Sequence, residues 1–271
     1  MTAKKNNKRI RVHFFLNSAP ANQSSFSFKL KALKEIEGVG YAGFLKKEHA
    51  IRAINFFVFG KETDLQNFYL KKNKITMILT KTLKKCDKYV ADSFTEIFVF
   101  PTANKFVLKN MKGVTGFSVW KHSICLFINP LQGWENSLTA TIAHEYCHTL
   151  SHKHHFWRTI LDSIIFEGLA EHFREQVVGG ERSPWTKAIT EKEAKKVLAV
   201  ITDKLDLEDE DLKQELFYRD NKFKLWAGYT LGYYIVKKFL SNTKEKNWKS
   251  ILKKEPKKIL ELSALKEGKR C

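Results

Sequence analysis

The chain has 271 residues, 43% of them apolar and 21 of them phenylalanine, enough to bury a full core as one domain or two closely packed lobes. Its longest apolar stretches (residues 54–59, 97–100 and 124–128) are strand-sized. They fall far short of the roughly 20 residues that cross a bilayer, which excludes a helical membrane protein.

The net charge of +19 sits mostly at the two ends. Residues 1–11 carry five positive and no negative charges, and residues 237–271 carry 12 basic against 4 acidic groups. Lysine dominates, without the arginine–aromatic interleaving of a base-stacking surface. The charge therefore reads as solubility or loose attraction to acidic polymers, and a specific nucleic-acid partner is not expected. The basic N-terminus is followed by an apolar run of residues 12–16 only, too short for the core of a signal peptide. Four cysteines (Cys86, Cys125, Cys147, Cys271) show no paired spacing. Reduced thiols in a cytoplasmic protein are the expectation.

In chain order, residues 1–11 read as a basic disordered tail, residues 10–16 as a strand and residues 18–25 as a loop. Residues 26–47 are interrupted by Gly38, Gly40 and Gly43 and give no clear element. Residues 63–73 and 75–90 carry apolar side chains at helical intervals with lysines opposite. A β section follows: residues 94–100 stop at Pro101, and residues 114–120 and 123–128 flank Lys121-His122 as a hairpin. Residues 131–136 lead into a helix on which Leu138, Ile142, Ala143, Tyr146 and Leu150 recur at helical spacing. Further helices are expected over 160–178, 191–205, 207–217 and 223–240. Residues 241–271 are lysine-rich and read as a tail or one weak helix. The fold class is α+β.

The chemistry is concentrated in Thr141-Ile142-Ala143-His144-Glu145-Tyr146-Cys147-His148 and in Phe166-Glu167-Gly168-Leu169-Ala170-Glu171. On a helix, positions i and i+4 share a face, so His144 and His148 can reach one cation. Glu167 lies on the next predicted helix, which a short connection would turn back to the same point. Two imidazoles and a carboxylate leave one position of a tetrahedral zinc for water, the arrangement of a catalytic ion. Glu145, beside the histidines, is the candidate general base toward a metal-activated water. One Zn2+ ion is the expected cofactor. Cys147 is a competing ligand, but its helical phase points it away from the histidine face.

These segments, with the downstream Gly228-Tyr229-Thr230-Leu231-Gly232-Tyr233, resemble the gluzincin superfamily of metallopeptidases. More closely, they resemble a bacterial family of predicted zinc-dependent proteases, over roughly residues 94–240. The resemblance implies a zincin-like domain over residues 12–240. Its upper lobe (about 12–152) would hold a small mixed sheet and the motif helix, and its lower lobe (about 153–240) would be mainly helical. It implies that Glu171 hydrogen-bonds a ligand histidine, and that a tyrosine on a later helix, Tyr229 or else Tyr233, stabilises the oxyanion. It also implies an edge strand that holds extended peptide by main-chain hydrogen bonds, for which Gly113, Val114, Thr115, Gly116 and Phe117 are the candidates.

His154 has the third-ligand spacing of the metzincin pattern, yet Ser151 occupies that pattern's glycine position. The methionines (Met1, Met77, Met111) all precede the motif, so no methionine turn follows it. His152, His154 and His155 are instead expected on an exposed helix end. The exopeptidase signature Gly-x-Met-Glu-Asn is absent before the motif, which favours internal cleavage of peptides or unfolded segments. The competing readings are a catalytically silent zinc-binding scaffold and a nucleic-acid-associated protein docking through its basic ends.

Overall fold

A computed structural model describes residues 9–14, 56–57, 68–92, 94–130 and 133–265. The expected loop at 18–25, the unassigned stretch at 26–47 and residues 63–67 lie outside these. The architecture is α+β, and the chain divides into two compact units, Met1–Leu150 and Ser151–Cys271.

The first unit is built on a four-stranded mixed sheet of order β1-β2-β4-β3. Its strands are β1 (Arg9–Phe14), β2 (Phe94–Pro101), β3 (Val114–Trp120) and β4 (Ser123–Ile128). β2 and β4 are the inner strands and are buried almost throughout, which is why both read as continuous apolar runs rather than alternating ones. β1 and β4 each run parallel to β2, and β3 returns antiparallel to β4 through the Lys121-His122 turn. Among the described strands, β3 forms one edge. The strand expected from residue 10 begins at Arg9, so the last residues of the basic stretch, Arg9, Ile10 and Arg11, belong to β1 and pair with Phe94, Thr95 and Glu96. His13 secures the same pairing through a 2.6 Å contact between its Nε2 and Glu96 Oε1.

Helix α1 (Lys72–Asp87) buries Ile75, Leu79, Leu83 and Cys86 at three- and four-residue spacing, with Lys84 and Lys85 in its last turn. It crosses residues 73–75, where two separate helices were expected. Helix α2 (Lys105–Asn110) was not anticipated; the Asn104 side chain starts it, accepting from the backbone N–H groups of Phe106 and Val107. Helix α3 (Trp134–Ser151) follows the sheet. The Tyr146 hydroxyl anchors it within the unit, donating at 2.7 Å to Asp87 Oδ1 and lying 3.0 Å from the Val90 carbonyl oxygen.

The second unit is helical: α4 (Ile160–Val178), α5 (Glu191–Ile201), α6 (Glu210–Phe217), α7 (Ala227–Thr243), α8 (Trp248–Ile251) and α9 (Pro256–Ser263). Capping boxes fix two starts, Thr159 with Asp162 for α4 and Thr190 with Glu193 for α5. Apolar periodicity suggested that α7 would begin near residue 223. It starts at Ala227 because Trp226 adopts a left-handed conformation, φ 68°. α4 and α7 cross at Gly168 and Gly232, where a Cβ on either residue would run into the backbone of the other helix.

Where a tail or one weak helix was expected, the described residues 241–265 carry two short helices. α8 and α9 bury Trp248, Ile251, Leu252, Ile259 and Leu260. Trp248 packs edge-on against Phe173 of α4 at 5.0 Å, and its Nε1 donates to Gln176 Oε1 at 2.8 Å. The lysines that disguise this segment (Lys249, Lys253, Lys257, Lys258) occupy its exposed side. No helix among the described residues is long and apolar enough to cross a membrane.

Candidate metal centre

α3 carries His144 and His148 one turn apart, and both rings are buried. Their Nε2 atoms approach to 3.0 Å, with the rings edge to face at a centroid distance of 4.6 Å. Without an ion such an approach needs one ring to donate and the other to accept; two lone pairs converging on a cation achieve it directly. α4 carries Glu167. One ligand atom from each of His144, His148 and Glu167 lies within 4.8 Å of the others. Among the described residues, no other group of three or more histidines, cysteines or carboxylates converges in this way. Two imidazole nitrogens and one carboxylate oxygen form a donor set that suits zinc.

Glu145 is 6% exposed, in the turn between the two histidines. Its charge is felt at Cys125 on β4: burial pushes that thiol well above its ordinary range, and Glu145 adds to the shift. Cys125 is therefore a protonated, inert part of the sheet. Cys147 is buried and outside the convergent group.

The three histidines beyond the motif do not share an exposed helix end. His154 is exposed and outside the convergent group, so the alternative ligand falls away. His155 is buried, and its Nε2–H donates to the Leu252 carbonyl at 2.9 Å. His152 stacks on Trp157 at 4.6 Å. The apolar residues of the C-terminal segment draw His155 inward, which local charge patterning could not reveal.

On α4, Glu171 lies one turn beyond Glu167 and is almost wholly buried. Its Oε2 accepts from an Arg174 guanidinium nitrogen at 2.9 Å and from Ser183 Oγ at 2.8 Å, and its Oε1 accepts from Trp185 Nε1 at 2.8 Å. Arg174 in turn donates to the carbonyls of Gly179 and Glu181. The strap from Gly179 to Thr186 is thus tied to the α4 face one turn from the candidate ligand. The Thr230 hydroxyl of α7 also holds it, donating to the Trp185 carbonyl at 2.7 Å. Sequence reasoning gave no role to Ser183 or Trp185, and no pattern at those positions signals one.

The two tyrosines differ in setting. The Tyr233 hydroxyl donates to Glu175 Oε2 at 3.3 Å, and its ring stacks on His172 and lies under the Arg182 guanidinium. Burial, then the Glu175 charge, pushes its pKa up to about 12. Glu175 is eight residues past Glu167, roughly 12 Å along the helix axis. That separation is a poor match for an oxyanion donor. Tyr229 is half-buried among Trp185, Phe217 and Tyr218, its ring meeting Phe217 edge-on at 5.1 Å.

Val114 to Phe117 begin the edge strand β3, and Gly113 immediately precedes it. Their glycines have packing reasons. Gly113 has φ +76°, and a Cβ there would strike the Asn129 carbonyl. A Cβ on Gly116 would press on Leu126, Cys125 and Thr141.

Residues 75–261 match the family described as Predicted Zn-dependent protease (DUF2268), and the chain belongs to that family. It is also similar to the protein named Uncharacterized protein YjfC of Bacillus subtilis (strain 168), with 29% identity over 149 residues. That match covers 49% of this chain and 50% of the relative, so the chain spans about half the length of the curated relative it matches. No solved structure matches the chain.

Proposed function

We propose that the protein is a zinc-dependent peptidase that hydrolyses internal bonds of peptides or unfolded protein segments. The convergence of His144, His148 and Glu167 carries this reading, since the three side chains would hold a single Zn2+ ion. When bound, the ion supplies Lewis acidity and lowers the pKa of water towards about 7. Glu145 accepts the proton of the attacking water and returns it to the leaving amine, work that a carboxylate shielded from bulk solvent performs well. Tyr229, its ring held among aromatic neighbours, donates to the carbonyl oxygen as charge develops there. Tyr233 is left out of the mechanism because its hydroxyl is engaged by Glu175. β3, an edge of the sheet among the described strands, binds extended substrate from Val114 to Phe117 by main-chain hydrogen bonds. Glu171 keeps its α4 face in place through the Arg174, Ser183 and Trp185 network, which supports Glu167 one turn away. Buried thiols outside any disulfide at Cys86, Cys125 and Cys147 suit a reducing compartment such as the cytoplasm.

The test is metal analysis of purified protein together with digestion of a peptide library. About one equivalent of zinc and chelator-sensitive cleavage are expected. Glu145→Gln should keep the zinc and lose about a hundred- to ten-thousandfold in rate. A Glu145→Gln protein that cleaves as fast as the parent overturns the assignment.

A further inference from the structure

α7 begins in an unusual way. Its N-cap residue, Trp226, sits in the left-handed region at φ 68°, ψ 17°, and its side chain makes no capping hydrogen bond. Glycine adopts that conformation without strain, and asparagine or aspartate adopt it more readily than tryptophan. A bulky residue held there implies that its ring, not its backbone, is what the position serves.

The ring has aromatic company. Trp226 meets Trp185 at 6.3 Å and 73°, Trp185 meets Tyr229 at 6.4 Å, and Tyr229 meets Tyr218 at 6.4 Å. Phe217 lies beneath, fully buried, while Tyr218 is 59% exposed and Trp185, Trp226 and Tyr229 are half-buried. Four partly exposed aromatic rings thus share one cluster of the helical unit. The cluster is not free to drift along α4, because the Trp185 indole N–H is bonded to Glu171. Glu171 is four residues from Glu167, about 6 Å along the helix. The aromatic surface is therefore keyed to the same stretch of α4 that carries the candidate metal carboxylate.

We propose that Trp185, Tyr218, Trp226 and Tyr229 form the subsite that receives a bulky aromatic side chain of the peptide substrate. This assigns a substrate class, and it rests on the peptidase reading above. An aromatic side chain buries a large apolar area and gains further from edge-to-face contacts with such rings, whereas alanine gains little from either. Discrimination by apolar contact of this kind amounts to about tenfold or more.

The test uses two quenched-fluorescence decapeptides that differ only in one central residue, Phe or Ala, with the zinc-loaded full chain. The Phe peptide should be cleaved about tenfold faster in kcat/KM or better. Trp226→Gly relieves the backbone while deleting the ring, and Tyr218→Ala trims an exposed one, so both variants should fold. Each should shrink the Phe/Ala ratio, and together they should bring it near one, without loss of bound zinc. Equilibrium binding of the same peptides to zinc-loaded Glu145→Gln separates this proposal from the hydrolase reading. Tighter binding of the Phe peptide that the two ring substitutions abolish supports the subsite even if no hydrolysis is found. Equal binding of the two peptides, or a preference that survives both substitutions, overturns it, whether or not the protein cleaves peptides. A drop in Tm for Trp226→Gly with selectivity unchanged gives the ring a packing role and also overturns it.

Discussion

Gly168 and Gly232 meet where α4 and α7 cross. A Cβ on Gly168 would fall on the Gly232 carbonyl, and one on Gly232 would fall on the Ile164 carbonyl, each inside the 3.0 Å that real Cβ atoms respect. Both neighbours are backbone atoms that cannot swing aside. The residue before Gly168 is Glu167, so the closest approach of the two helices falls beside the candidate metal ligand.

Gly232→Ala therefore sets two effects against each other. Alanine gains about 1 kcal/mol over glycine within a helix. Overpacking against a rigid backbone costs roughly 1–3 kcal/mol, and more where nothing can relax. The clash should win, giving a lower midpoint in urea and weaker zinc binding as α4 shifts. Gly228→Ala is the control, because the atoms its Cβ would meet belong to the Phe217 side chain. A ring can yield, so Gly228→Ala should cost less than Gly232→Ala. The reverse order would show that the crossing does not control the packing.

Tyr146 lies between the candidate base Glu145 and the candidate ligand His148, but its work is structural. Its buried hydroxyl donates to Asp87 and lies within hydrogen-bond reach of the Val90 carbonyl, tying α3 to the end of α1. Burial, then the bond to Asp87, pushes its pKa far above the ordinary range, so it stays a neutral donor. Tyr146→Phe leaves the ring in place and strands those acceptors, at a cost of about 1–3 kcal/mol. Denaturant unfolding should show the loss with bound zinc retained at 25 °C. Unchanged stability would mean that water replaces the hydroxyl.

The sequence announces the site more clearly than its surroundings, for a physical reason. His144 and His148 need only helical periodicity to share a face, and Glu167 needs only a following helix. Non-local features leave no such trace. Nothing in Arg9–Phe14 shows that it pairs parallel to Phe94–Val99, more than eighty residues on. Nothing near Trp185 shows that its indole seeks Glu171. α2 was detectable, since Asn104 is a good N-cap. α8 and α9 were hidden by lysines, although Pro256 at the first helical turn and the spacing of Ile259 and Leu260 were visible.

Trp248 shows what those lysines conceal. The ring is buried against Phe173 of α4, and its N–H is bonded to Gln176. Trp248→Ala should cost about 3–5 kcal/mol, the range for deleting a buried aromatic. Trp248→Phe, which keeps most of the apolar surface and loses the hydrogen bond, should cost clearly less. Thermal unfolding of the two variants decides the point. Wild-type stability of Trp248→Ala would return residues 248–263 to the status of a dispensable tail.

His172 makes stability depend on pH in a direction that can be worked out. Burial pushes its pKa down to about 4, and the charges of Lys237 and Arg182 act the same way. The bond from its Nε2–H to the Tyr233 carbonyl and the charge of Glu171 oppose the shift without cancelling it. In the unfolded chain the imidazole titrates near about 6.5. As pH falls below that value the unfolded chain binds a proton that the folded chain refuses. The contribution is therefore intact above about pH 6.5 and is lost progressively down to about pH 4, by up to about 3 kcal/mol. Glu175, 3.8 Å from His172 Nδ1, acts in the opposite sense: burial raises its pKa, so the folded state keeps a proton that the unfolded state has released. Subtracting the stability curve of His172→Gln from that of the parent removes most of the Glu175 effect, and glutamine can still donate to the Tyr233 carbonyl. The difference curve should change by about 1.4 kcal/mol per pH unit through the middle of that window, the slope of one proton. A flat difference would mean that His172 accepts its proton while folded, and that Glu171 and Glu175 offset its burial.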